Sequence, residues 1–148
     1  MFFYFKDVFS VKNLMTSPLP RILVVDDEEA FRSALSARLR VRGLDTTAVG
    51  TGREALEEIK KTLFDVILLD IKMPGMNGME ALAEIKKINP FLEVIILTGH
   101  ASIDAAVEIT KLGGYDYLLK PCPLDELLEK IEEAHERKMA REKRNIKT

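Results

Sequence analysis

The sequence has a single cysteine, no tryptophan and no long uninterrupted hydrophobic run. Cys122 therefore has no partner for an intrachain disulfide, which is typical of a protein from a reducing compartment. The apolar start of the chain is interrupted at Lys6, Asp7 and Lys12, well short of the roughly 18 apolar residues that a membrane span requires. We therefore expect a cytoplasmic protein without a membrane segment.

The sequence also lacks an excess of basic residues. It has 22 lysines and arginines against 24 acidic residues, a formal net charge of -2. Non-specific binding to nucleic acid depends on basic side chains that neutralise phosphates, so nucleic acid is not an expected partner of this chain alone. The last residues are locally basic but have no apolar stripe beyond about Met139. We interpret residues 137–148 as a charged, solvated C-terminal tail.

Short apolar runs alternate along the chain with segments of helical periodicity, such as Phe31, Leu35 and Leu39. This alternation predicts an α/β fold with a doubly wound, five-stranded parallel sheet in the order 2-1-3-4-5 and five helices on its two faces, as in flavodoxin-like proteins. The two more polar strands should lie at the edges. The predicted strands are residues 22–25, 44–49, 66–69, 94–97 and 115–119.

The helix starts carry capping residues. Thr51 has capping-box spacing with Glu54, Asn77 can cap the third helix, and Ser102 can cap the fourth. For the fourth helix the spacing predicts an apolar face formed by Ile103, Val107 and Leu112.

Polar residues end the central strands. Because the carboxyl ends of parallel strands meet at one edge of the sheet, Asp26, Asp27, Asp70, Thr98 and Lys120 should lie in one cleft. Clustered carboxylates repel one another and suit a hard divalent cation such as Mg²⁺. Taken alone, the acidic run that starts at Asp26 also fits a solvated helix start, an interpretation that we keep for its last two members, Glu28 and Glu29.

Carboxylates, a hydroxyl and an ammonium together are what a phosphoryl group requires, and Asp70 then has the position of a nucleophile. Two other functions use the same sheet: a phosphatase with an aspartyl intermediate, and a flavin-binding electron carrier. The phosphatase pattern D-x-D-x-[TV] does not match "DDEEA", and four acids would repel a flavin phosphate. A phosphoacceptor switch is the preferred interpretation.

Four motifs in order, "ILVVDDE", "DVILLDIKMPGMNGME", "VIILTGHAS" and "GGYDYLLKPCPLDEL", resemble the receiver domains of bacterial two-component response regulators. The segments "LTGHAS" and "GGYDYL" are most similar to those in the receivers of enhancer-binding transcription activators. The resemblance implies a receiver domain over residues 20–136, with residues 1–19 as an N-terminal extension outside the fold. Within that extension, residues 1–14 in particular are expected to have no role in the fold.

The resemblance also implies roles for single residues. Asp70 would be the phosphoacceptor that becomes an aspartyl phosphate, and Mg²⁺ would be held by Asp27, Asp70 and the backbone carbonyl of Lys72, with Asp26 acting mainly through water. Thr98 and Lys120 would bind the phosphoryl oxygens. Tyr117 would be the aromatic switch that moves inward as Thr98 reorients, and the Lys120–Pro121 bond would be cis.

The expected function is therefore a bacterial signalling switch that catalyses only its own phosphorylation and dephosphorylation. Its expected partners are a sensor histidine kinase or a phosphotransfer protein, and a downstream target or a separate output protein. The sequence leaves open a stand-alone receiver or a piece of a longer regulator. We expect the first, since no ATPase or DNA-binding region is readable in the residues given.

Overall fold

The structure is a computed structural model that describes residues 19–100 and 102–147. The predicted N-terminal extension lies almost wholly outside the described residues, so it stays a prediction. Five parallel strands form one sheet in the order β2-β1-β3-β4-β5, which confirms the predicted topology and its polar edge strands. The strands are β1 (Arg21–Val25), β2 (Asp45–Val49), β3 (Val66–Asp70), β4 (Glu93–Thr98) and β5 (Asp116–Leu119).

Five helices alternate with these strands in the described part of the chain, as predicted. None of the helices there is long and apolar enough to cross a membrane. The helices are α1 (Glu29–Val41), α2 (Gly52–Lys61), α3 (Gly78–Ile88), α4 (Ile103–Lys111) and α5 (Leu124–Lys147).

The sheet is covered on both faces because successive strand residues point to opposite sides. In β1, Ile22 and Val24 pack into the core with α1 and α5, whereas Leu23 and Val25 pack into the core with α2, α3 and α4. All five residues of β3 and all six of β4 are buried. The continuous apolar runs in the sequence are therefore central strands buried on both faces.

The predicted caps are present. The Thr51 hydroxyl accepts a hydrogen bond from the backbone N–H of Glu54, and Asn77 and Glu80 form a reciprocal capping box. The Ser102 hydroxyl accepts from the backbone N–H of Ala105. Each bond satisfies an N–H that the helix itself leaves unpaired, so the loops that lead into these helices are fixed.

The apolar face predicted for α4 is wrong at Ile103 and Val107, whereas its third member, Leu112, is partly buried and packs against the core. Ile103 is 83% exposed and Val107 is 46% exposed, whereas Ile109 is the buried residue of this helix. The spacing identified a helix but did not identify which side packs on the sheet. Two apolar side chains are consequently left on the outer surface.

The final helix passes through the predicted domain limit at residue 136 and continues to Lys147. Lys138 is buried and lies 3.0 Å from Asp65, and Arg137 and Arg141 pair with Glu93. The basic segment is therefore in part packed against the domain rather than a wholly solvated tail. The domain limits themselves stay a prediction.

Candidate functional site

The acidic cluster at the carboxyl edge of the sheet follows from the strand register. Val25 lies opposite Leu69, so the residues that come next, Asp26 and Asp70, are neighbours. Carboxylate oxygens of Asp26, Asp27 and Asp70 lie within 4.8 Å of one another. Asp26 is 2% exposed and Asp70 is 8% exposed, while Asp27 faces solvent. These three residues could hold a metal ion.

Lys120 is the ammonium of the cluster. Its Nζ lies 2.6 Å from Asp26 Oδ2 and 3.6 Å from Asp70 Oδ1, and its backbone N–H donates to the Thr98 carbonyl at 2.7 Å. Burial acts to lower the pKa of Lys120, but the hydrogen bond and charge of Asp26, together with Asp70, outweigh it and raise that pKa. The side chain is therefore charged at neutral pH, and it follows directly on strand β5.

The carboxyl group of Asp70 has a raised pKa. Burial is the largest cause, and the charge of Asp26 adds to it, while Lys120 and a backbone hydrogen bond from Lys72 act in the opposite direction. Three carboxylates in the cluster face the single ammonium of Lys120, so their negative charge is only partly neutralised. A divalent cation would remove this imbalance, which fits the donor set of three carboxylates.

The loop after Asp70 is held close to it by a glycine. The backbone N–H of Gly78 donates to the Ile71 carbonyl at 2.8 Å, and a Cβ at Gly78 would collide with the Asp70 carbonyl oxygen and the Ile71 backbone. The close approach therefore requires glycine at this position. Lys72, whose carbonyl is the predicted metal ligand, lies within this loop.

Thr98 and Tyr117 lie on neighbouring strands. The Thr98 hydroxyl donates to the His100 carbonyl at 3.0 Å and accepts from the His100 N–H at 3.1 Å, so it is held within its own loop. Tyr117 is partly buried and packs against the core under α2, α3 and α4. The Lys120–Pro121 peptide bond is cis.

Two residues of the first turn of α1 contact the cluster, and sequence reasoning missed both as site residues. The Phe31 ring centroid lies 4.3 Å from Lys120 Nζ, and an Arg32 guanidinium N–H donates to the Asp26 carbonyl at 2.8 Å. The helical spacing of Phe31 with Leu35 and Leu39 predicts only that Phe31 is a core residue. The available signal was that Phe31 lies in the first turn of the helix that begins shortly after Asp26 and Asp27 in the sequence.

The sequence-family model described as the response regulator receiver domain matches residues 22–132 of this chain. This chain belongs to the response regulator receiver domain family. Over 113 residues the receiver is 42% identical to the transcriptional regulatory protein ZraR of Escherichia coli strain K12. That match covers 76% of this chain and 26% of the relative, so the chain spans about a quarter of the length of the curated relatives it matches.

Solved receiver structures are also similar. The crystal structure of a CheY-like response regulator receiver domain protein from Methanospirillum hungatei has a TM-score of 0.79 and 34% identity, and the match covers 84% of this chain and 99% of that one. The solution structure of the beryllofluoride-activated NtrC4 receiver domain dimer has a TM-score of 0.75 and 42% identity, and the match covers 80% of this chain and 98% of that one. The fold and the family resemblance are confirmed.

Proposed function

We propose that this receiver is a phosphoacceptor switch in which Asp70 takes a phosphoryl group from a phosphohistidine of a sensor histidine kinase or phosphotransfer protein. A carboxylate oxygen of Asp70 forms the new bond to phosphorus, and the bond from phosphorus to the histidine nitrogen breaks. The observation that carries the proposal is the position of Asp70 at the end of β3, within 4.8 Å of two further carboxylates and 3.6 Å from an ammonium.

We propose Mg²⁺ as the cofactor, held by Asp27, Asp70 and the backbone carbonyl of Lys72. Asp26 already accepts from the Glu28 N–H with Oδ1 and from Lys120 with Oδ2, which supports a role for it through water. The bound ion would neutralise negative charge on the transferred phosphoryl group. The excess of carboxylates and the raised pKa of Asp70 support this assignment.

Lys120 would bind a phosphoryl oxygen, and Thr98 would bind another after its hydroxyl leaves the backbone of His100. Tyr117 would then move inward, and the change would reach the outer surface formed by α4, β5 and α5. Three exposed apolar side chains on that surface support a partner-binding role. They are Ile103, Val107 and Leu119.

Phosphorylation of Asp70 can be tested with acetyl phosphate on the full chain. We expect one phosphoryl group per chain with Mg²⁺ and none after chelation, and Asp70→Asn should abolish labelling. Asp104→Asn, which changes an exposed carboxylate on α4, is the matched control and should label normally. Undiminished labelling of Asp70→Asn, or a label stable to base and labile to acid, would contradict the proposal.

The relay can be tested with beryllofluoride, which stands in for the phosphoryl group. Amide NMR shifts should change more in residues 99–120 than in residues 51–63, and Thr98→Ala should reduce the change while Asp70 still reacts. A perturbation confined to the acidic cleft, or equal in α2, would overturn the relay and leave the phosphoacceptor chemistry standing.

The partners and location of the whole protein also belong to this proposal, since its curated relatives are longer. We propose a cytoplasmic signalling receiver whose readout is a downstream protein or an output protein, with catalysis limited to its own phosphorylation and dephosphorylation. Nucleic acid is not proposed as a partner of these residues, because the charges of the described segment are balanced and partly paired within the domain.

A further inference from the structure

Lys120 has a third neighbour besides its two carboxylates. The Phe31 ring centroid lies 4.3 Å from Nζ, within the roughly 6 Å over which an aromatic face attracts a cation. Only 17% of the lysine side chain is exposed. The largely desolvated ammonium of Lys120 is therefore surrounded by two carboxylates, those of Asp26 and Asp70, and by one aromatic face.

The ring suits this position because it attracts the ammonium without taking up a hydrogen-bond donor permanently. A third carboxylate beside Lys120 would add negative charge to a cluster that already has three carboxylates and one ammonium. Water would leave the long, flexible lysine side chain free to turn outward. An aromatic face limits that freedom and leaves Lys120 able to exchange Asp26 for an incoming anion.

The origin of the ring contact is local. Asp26 Oδ1 accepts from the Glu28 N–H at 2.9 Å, and α1 begins at Glu29. The first turn of α1 is thus tied to the acid that pairs with Lys120, and Phe31 lies in that turn. The lysine follows β5, so two elements distant in sequence meet over the cleft.

We propose that Phe31 is a positioning residue for phosphoryl binding, whose ring holds the Lys120 ammonium in the cleft within reach of the group on Asp70. This inference rests on the proposed function. A packing role is the competing explanation, because Phe31 also borders the core and an apolar cavity of about 230 Å³ that Leu35, Leu97 and Leu127 help to line. The two explanations differ in whether the electron density of the ring matters.

Fluorination tests this difference, since it weakens the negative face of the ring with little change of shape. Mono-, di- and trifluorophenylalanine would be incorporated at position 31 of the full chain, and the affinity for beryllofluoride measured with Mg²⁺ present. We expect affinity to fall step by step, by about two- to fivefold over the series. Thermal unfolding of each variant would verify that the fold is intact.

Phe91 is the matched control. Its ring lies 5.6 Å from the Arg141 guanidinium at the opposite end of the sheet, so the same series there should leave beryllofluoride affinity unchanged. If the unmodified chain binds beryllofluoride normally and fluorination at position 31 does not change that affinity, the inference is overturned and the proposed function stands. An unmodified chain that fails to bind beryllofluoride would overturn both.

A second measurement reads the contact without any phosphoryl analogue. An aromatic ring shifts the NMR signals of protons above its face, so the ε-methylene protons of Lys120 should lie upfield in the wild-type protein. In Phe31→Leu this displacement should be lost. Identical ε-proton shifts in the two proteins would overturn the inference, whatever the outcome with beryllofluoride.

Discussion

The two ends of the sheet carry clusters of charged residues, with negative charge in excess at the carboxyl end and positive charge in excess at the amino end. At the carboxyl end, three carboxylates share one ammonium, that of Lys120. At the amino end, Glu93 is fully buried and its Oε2 lies 3.0 Å from Arg137 and 3.3 Å from Arg141. Strand β4 connects the two ends, since it starts at Glu93 and finishes at Thr98.

This difference separates a candidate ligand site from a structural contact. The carboxyl-end cluster has more carboxylates than ammonium groups, and a cation from outside the chain could remove the remaining repulsion. At the amino end, the two arginines that neutralise Glu93 belong to α5, so no cation from outside the chain is needed there. Similar residue types therefore form a candidate binding site at one end and attach the last helix at the other.

The largest expected effect comes from removing the cations of the amino-end cluster. Arg137→Ala/Arg141→Ala leaves a buried carboxylate without its two partners, and we expect the free energy of unfolding to fall by about 2–4 kcal/mol. Urea unfolding measures this loss. The control is Lys143→Ala/Arg144→Ala, which removes two exposed cations from the same helix. A loss no greater than in the control would mean that Glu93 is adequately solvated without α5.

The next effect concerns the carboxyl-end cluster. Asp27→Ala should weaken Mg²⁺ binding by about tenfold or more, because it removes a carboxylate that we propose as a direct ligand. Glu29→Ala should have little effect, since Glu29 lies in the first turn of α1 and outside the three-carboxylate cluster. Titration followed by NMR separates the two variants. Equal Mg²⁺ affinities of the two variants would mean that the acidic run serves only as the start of a helix and does not bind the metal.

Asp70→Asn should stabilise the metal-free protein by about 0.5–1.5 kcal/mol at pH 7, since it removes a buried like charge. The pKa of Asp70 is raised above 3.8, so the native state binds more protons than the unfolded state as pH rises through the window above 3.8. Wild-type stability therefore falls across this window, and the variant should lack that fall. Urea unfolding between pH 4 and 7 without Mg²⁺ measures both. A variant less stable than wild type at pH 7 would contradict the proposed repulsion.

The sequence allowed the carboxyl-end cluster to be predicted because strand periodicity and parallel topology act together. Once β1 and β3 are neighbours, Asp26 and Asp70 must be close, and no side-chain detail is needed. Phe31 was harder, since an apolar residue in an amphipathic helix has a sufficient explanation as core. Its contact with Lys120 joins the first turn of α1 to the end of β5, two elements far apart in the sequence.

The amino-end cluster could not be predicted from local pattern. Arg141 and Glu93 are 48 residues apart, and a basic segment without an apolar stripe has the composition of a solvated tail. The prediction that Val107 lies on the buried side of α4 was wrong for a related reason. Apolar spacing shows that a helix is amphipathic, but the burial of Ile109 rather than Val107 depends on how the helix is rotated on the sheet.

The smallest expected effect tests whether the amino end carries the opposite imbalance, a surplus of positive charge. Lys86 Nζ donates to the Pro90 and Leu92 carbonyls at 2.7 and 2.8 Å. Burial, followed by the charges of Arg141 and Arg137, lowers its pKa to about 8, and the charge of Glu93 acts in the opposite direction.

The sign of the pH dependence follows from that lowered pKa. Above pH 8 the native protein releases the Lys86 proton, while the unfolded chain keeps it until about pH 10.5, so stability rises with pH across this window. The gain reached by pH 8, at the start of this window, is under about 1 kcal/mol. Lys86→Met should remove it, and the neighbouring Lys87→Met should preserve it. NMR titration of the Lys86 ε-methylene group gives the midpoint directly. A midpoint near 10.5 would mean that the two carbonyls and Glu93 offset both the burial of the side chain and the charges of the two arginines.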